Sequence, residues 1–264
     1  CTTECYVNAT TGNDAATGSS ISPKKTIQAA INAVATGGTV HVAAGTYAEN
    51  IAVNKAVDIR GPNYGISPNM GVRVAEAVVV PGTNAPDSGE IFSVLASNVS
   101  INGFTIDGDN PYLFGGFPNT VGADMNAAEG VTIYVDNVNN LTVSKNILKN
   151  LNYFGITLFG ASYSAPATTG HLIDDNLFQD LGTYAVASGA SKWGGGVLLY
   201  NNQYTRITGN VMTNVRMGIQ TGNFSQANPG SANYQVIDGN TISARRRGIF
   251  HNLHYGPTSP YTLS

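Results

Sequence analysis

Charged side chains are scarce in this chain, and the densest group is cationic: Arg245-Arg246-Arg247. Arg216 lies six residues after Asn210 and Arg246 six after Asn240, so the two guanidiniums become neighbours if those asparagines are structurally equivalent. Like charges one strand apart repel, so a carboxylate, sulfate or water is expected between them; an anionic glycan would serve, as would an internal acid such as Asp180. Asp174 and Asp175 are adjacent, but neighbours on a strand point to opposite faces. They read as a cross-strand ion pair with Lys145 rather than as an acid and base sharing a site. Asp107-Gly108-Asp109-Asn110 is an oxygen-rich turn and the candidate for Ca²⁺. His251 and His254 are close in sequence but lack a third ligand, which argues against zinc. No nucleophile elbow or phosphate loop occurs. The aromatic residues Tyr134, Phe159 and Tyr200 fall at matching positions after Gly-(Val/Ile) segments and are expected to face outward as a flat strip. Sugar rings stack through their C–H faces on such strips. Tyr204, Tyr234 and Tyr261 form a second series.

Repeats must position these groups. Leu141–Leu148, His171–Phe178, Thr205–Met212 and Gln235–Ile242 align, with Asn146, Asn176, Asn210 and Asn240 at spacings of 30, 34 and 30 residues. Val143, Ile173, Ile207 and Ile237 precede them by three positions. An earlier copy, Val99–Ile106, has Phe104 in the Asn slot. A second pattern begins at Gly130, Gly155, Gly196, Gly218 and Gly248 and alternates like a strand. Short strands at this period describe a coil stacked on copies of itself. An internal Asn at each turn can then hydrogen-bond the Asn above it, one strand spacing away. Ile27, Ala30, Ile31 and Val34 mark one amphipathic helix, stopped by Gly37-Gly38, suited to covering the open end of the stack. Insertions at 107–129, 160–169, 222–233 and 252–260 recur at one corner and would wall one face.

Charged residues make up 11% of the 264, against about 25% in ordinary soluble proteins, and there is no heptad pattern; disorder and coiled coil are excluded. A net charge of −3 disfavours nucleic acid as a partner, and the longest apolar runs are too short for a transmembrane segment. Two cysteines, Cys1 and Cys5, are too few for a disulfide scaffold. A small Cys1–Cys5 loop formed in an oxidising compartment, a free pair and a lipid-bearing Cys1 are all compatible with them. The first residue is not Met and no signal peptide is visible, so the chain reads as mature or trimmed. Abundant Asn, Thr, Gly and Ser with few charges fits a secreted, extracellular protein.

The helix, the stretch from Gly37 to Gly61 (GGTVHVAAGTYAENIAVNKAVDIRG) and the Asn and Gly-Ile repeats resemble the right-handed parallel β-helix of the pectate-lyase-like superfamily. The likeness runs from Thr26 to the end. The opening also resembles β-helix domains of large bacterial surface proteins. The resemblance implies an all-β solenoid as a single domain over 1–264: a lead-in (1–21), a capping helix (22–38) and coils (39–264). The chain stops at Ser264 where another coil should begin, so it is expected to be a fragment with neighbouring domains. That superfamily contains lyases, hydrolases, esterases, epimerases, phage tail proteins and adhesins. Polygalacturonase-type motifs are missing apart from Asp174-Asp175, while lyases of this fold use a Lys or Arg base, often with Ca²⁺. The expectation is a secreted or cell-surface module, an adhesin or non-catalytic binder of polysaccharide. A lyase or glycoside hydrolase acting on an acidic glycan is the alternative. Tyr134, Phe159, Tyr200, Arg216 and Arg246 are the candidate glycan contacts, and Asp107, Asp109 and Asn110 the candidate Ca²⁺ ligands.

Overall fold

The structure is a computed structural model and describes residues 1–160, 168–184, 193–223 and 234–253. It is a right-handed parallel β-helix with one short helix, α1 (Ile27–Ala33), near its start. An eight-stranded sheet runs Glu4–Val7, Gly38–Val42, Val57–Arg60, Val99–Asn102, Thr142–Ser144, Leu172–Asp174, Arg206–Thr208 and Val236–Asp238. A twelve-stranded sheet wraps the other two sides. One limb contains Thr105–Asp107, Ile147–Lys149 and Leu177–Gln179; the other contains Ala85–Val94, Ala127–Ile133, Phe154–Phe159 and Gly195–Tyr200. The strands Val211–Asn223 and Thr241–Leu253 belong to both limbs and pair in parallel, with their register shifting around Val215 where they turn the corner.

Alternation places every second residue of a strand in the interior, and register stacks these apolar side chains from coil to coil. Phe92, Val131, Ile156, Val197 and Ile219 form one such column, each fully buried. The asparagines form another. Asn146 Nδ2 donates to Asn176 Oδ1 at 3.2 Å, Asn176 to Asn210 at 3.0 Å, and Asn210 to Asn240 at 2.8 Å. Each of the four also donates to a carbonyl in the preceding coil: Ile101, Val143, Ile173 and Ile207. The ladder starts on Phe104, whose backbone N–H donates to Asn146 Oδ1. The residue before each ladder position, Gly103, Lys145, Asp175, Gly209 or Gly239, has positive φ. Glycine adopts that geometry without a Cβ penalty. Lys145 and Asp175 adopt it too and pair across coils at 3.2 Å, as their alignment predicts.

Two boundaries differ from the sequence reading. The lead-in contributes a full strand, Glu4–Val7, in register with Thr39–Val42; a Cys1–Cys5 disulfide closes the loop at its start. The helix spans Ile27–Ala33 rather than most of 22–38. Thr26 caps it by accepting from Ala29 N–H, and Glu49 accepts from the Ile27 and Gln28 amides. Side chain and carboxylate together satisfy donors that a helix start leaves unpaired.

Candidate functional site

The limb carrying the Gly-Ile strands presents an outer face, and the aromatic residues do meet there across coils. Tyr134 and Phe159 have ring centroids 6.0 Å apart, and Phe159 and Tyr200 5.8 Å. Their exposure corrects the expected flat strip. Tyr134 is 41% exposed and Phe159 intermediate, but Tyr200 is only 2% exposed. Tyr200 belongs to an apolar cluster with Phe154, Leu198 and Met217, and its hydroxyl accepts from Gln220 Nε2 at 2.6 Å. The solvent-facing part of the strip is therefore Tyr134 with Phe159.

Beneath Tyr134 lies a carboxylate that the sequence reading missed. Glu129 is 4% exposed; it accepts from the Tyr134 hydroxyl at 2.5 Å and from the Thr157 hydroxyl at 2.5 Å. Glu90, opposite it in register on the neighbouring strand, accepts from Thr132 at 2.6 Å. Burial pushes the Glu129 carboxyl up to about 7, against the two hydroxyl donors that favour its charged form, with Glu90 adding to the rise. Burial, followed by the Glu129 charge, raises the Tyr134 phenol as well. The anchored hydroxyl fixes the Tyr134 ring. No local sequence motif marks this arrangement, because it joins Glu90, Glu129, Tyr134 and Thr157 from three strands.

Arg216 and Arg246 sit on the corner between the limbs, in adjacent coils. Burial first, then the Arg246 charge, lowers the Arg216 pKa, against a smaller rise from Tyr184. Asp180, a possible internal partner in the sequence reading, instead accepts from Asn214 Nδ2 at 2.5 Å. Arg245 donates to Asn214 Oδ1 at 2.6 Å and to Thr120 Oγ1 at 3.1 Å. The latter bond ties down the 107–129 insertion, which also bonds to Asn150 through Asn119 at 3.0 Å. That insertion joins Thr105–Asp107 to Ala127–Ile133, between the limbs, whereas those beginning at 160, 222 and 252 leave the second limb, so the four do not share one corner as expected. The insertions at 160–169, 222–233 and 252–260 lie largely outside the described residues, as does Tyr261. Tyr204 and Tyr234 stack at 4.9 Å, nearly parallel, just before the strands Arg206–Thr208 and Val236–Asp238.

The Asp107 turn is occupied by protein donors. Asp107 pairs with Lys149 Nζ at 2.9 Å and accepts from Asn150 Nδ2 at 2.8 Å and from Asp109 N–H at 3.1 Å. Asn110 Oδ1 accepts from Tyr112 N–H, while its amide donates to the Pro81 carbonyl. These oxygens face donors rather than a common centre, so the set does not fit Ca²⁺. Among the described residues no cluster of three or more His, Cys, Asp or Glu could hold a metal ion.

Stacked parallel strands with an internal amide ladder define the class: a right-handed parallel β-helix. The family model described as "Protein of unknown function (DUF1565)" matches residues 10–186, and the chain belongs to that family. No curated protein matches it. Among solved structures it is similar to a rhamnogalacturonan lyase, at 13% identity and a TM-score of 0.62, over 94% of this chain. The chain spans 62% of that lyase's length. It also matches a GH136 lacto-N-biosidase from Eubacterium ramulus, at 10% identity over 94% of this chain and 68% of that one, but at a TM-score of 0.35. The first likeness establishes the fold alone, and the second carries no argument.

Proposed function

We propose that this protein is a polysaccharide-recognising β-helix module that works outside the cell, secreted or held at its surface. The glycan lies on the outer face at Tyr134 and Phe159. The observation that carries this reading is the cross-coil contact of these two accessible rings at 6.0 Å, with Tyr134 held by Glu129. A ring fixed before binding loses little entropy when a sugar stacks on it. The Cys1–Cys5 disulfide supports an oxidising compartment. Binding to a glycan array tests the reading. Tyr134→Ala and Phe159→Ala should each weaken binding several-fold, since an aromatic contact contributes about 1 kcal/mol. Equal binding by wild type and the double variant would remove this face.

A second reading, cleavage of the glycan by a lyase or hydrolase, is favoured by Glu129, whose carboxyl lies near 7 with Glu90 beside it. A general acid or base works best near the operating pH. Incubation with polysaccharides, followed by assays for reducing ends and unsaturated products, separates cleavage from binding. Wild type must form product and Glu129→Gln must not.

A further inference from the structure

The corner holding Arg216 differs from the cationic positions whose partners lie within the protein. Arg60 pairs with Asp58, Arg73 with Glu76, and Arg247 lies 4.1 Å over the Phe250 ring. Arg216 and Arg246 have no ion pair or hydrogen bond through their guanidiniums among the described residues, and Arg216 Nε is buried without a partner. The Arg216 backbone is held in place: its amide N–H donates to the Leu181 carbonyl at 2.9 Å. A Cβ added at Gly182 would lie only 3.2 Å from Arg216 Cβ. One further donor at the same corner is buried and unpartnered, the Thr183 hydroxyl, on a residue 2% exposed. Asn152 Oδ1 is also buried and unpartnered, but as an acceptor it would not pair with an anion. The Tyr184 hydroxyl lies within 3.3 Å of the Asn152 carbonyl and 3.4 Å of the Trp193 carbonyl. Trp193, the single tryptophan of the chain, is 38% exposed there. Asp87 accepts from the Tyr153 hydroxyl at 3.4 Å and makes no ion pair with either arginine.

Two cations in adjacent coils repel, and partial burial weakens the water screening that would tolerate them. Unpaired buried donors add a desolvation cost of their own. An anion with oxygens on two sides relieves both. We propose that this corner is an anion-binding subsite for a carboxylate or sulfate ester carried by a glycan, held by Arg216 and Arg246, with Trp193 flanking the sugar that bears it. This deepens the polysaccharide reading by naming the substituent recognised, and it rests on that reading for the polymer but not for the anion.

The test has two arms. In the first, Arg Nε–H resonances of the whole protein are followed by NMR during titration with sodium sulfate or sodium galacturonate at fixed ionic strength. The Arg216 signal should shift and saturate, those of Arg60 and Arg73 should stay, and Arg246→Gln should weaken the effect about tenfold, as loss of one charge-assisted contact implies. Whichever of the two anions saturates at lower concentration identifies the group. An Arg216 signal that stays still, or moves no more than that of the exposed Arg206, overturns the subsite. In the second arm, polygalacturonate is compared with its methyl ester, and dextran sulfate with dextran. Wild type should bind a charged member at least about tenfold tighter, a preference that Arg246→Gln abolishes and Arg206→Gln retains. Equal affinity within both pairs overturns the anion subsite and leaves the polysaccharide reading standing. A saturating Arg216 response with no binding to any polymer does the reverse.

Discussion

At the scale of single residues, the outer face depends on how Glu129 and Tyr200 are buried. Burial raises the Glu129 carboxyl from 4.5 to about 7. Between those values the folded chain keeps a proton that the unfolded chain releases, so stability falls as pH rises through that window and levels off above it. The full effect is roughly 3 kcal/mol. Thermal melts from pH 4 upward should show Glu129→Gln flattening this fall relative to wild type; parallel curves for the two proteins would show that Glu129 does not titrate in the window. Tyr200 makes the opposite point about legibility. Its position in the repeat was readable and its contact with Phe159 followed, but its exposure was not. Alternation tells which face a side chain leaves from, whereas two of the neighbours that cover it, Phe154 and Met217, come from other strands, and only Leu198 shares its own. Tyr200→Ala should therefore destabilise the fold by about 3 kcal/mol, as large-to-small changes in packed clusters do. A denaturation midpoint equal to that of wild type would contradict that burial.

At the scale of elements, the coil was legible because each copy repeats the same local physics. Asn146, Asn176, Asn210 and Asn240 were readable as a column from their apolar flanks alone. Replacing Asn176 by Leu leaves the Asn146 amide and the Val143 carbonyl without their partner. The expected cost is about 1–3 kcal/mol per buried group left unpaired. Urea denaturation measures it, and an unchanged midpoint would take Asn176 out of the ladder. Asparagine also serves the corners, a second use that the sequence did not separate from the first. Asn98, Asn140, Asn150 and Asn214 all have positive φ, a conformation Asn tolerates better than most residues. What the sequence hid were segments tied down by distant partners. Ser67 and Asn69, in the loop that follows Gly61, both bond Asp175 more than a hundred residues away. Glu4–Val7 is a strand only because Gly38–Val42 offers it an edge. No local window contains either partner.

At the scale of the whole molecule, a solenoid couples each coil mainly to its neighbours, so damage should stay near where it is made. The two ends of the described structure differ. Ile27, Ala30 and Ile31 of α1 are fully buried at the first coils, whereas Ile249, in register with the buried Ile219, is 59% exposed. Truncating Ile31 to Ala removes packing from the covered end and should cost about 2–5 kcal/mol locally. In hydrogen exchange, the amides of Glu4–Val7 and Gly38–Val42 should lose protection by a large factor in this variant. Those of Leu172–Asp174 and Leu177–Gln179, several coils away, should exchange at close to their wild-type rates. The strand Thr241–Leu253 should exchange faster than its partner Val211–Asn223 even in wild type, since it is paired on one side among the described residues. Uniform loss of protection in Ile31→Ala would instead mean that the β-helix unfolds as one cooperative block, with α1 acting on the entire stack rather than on its first coils.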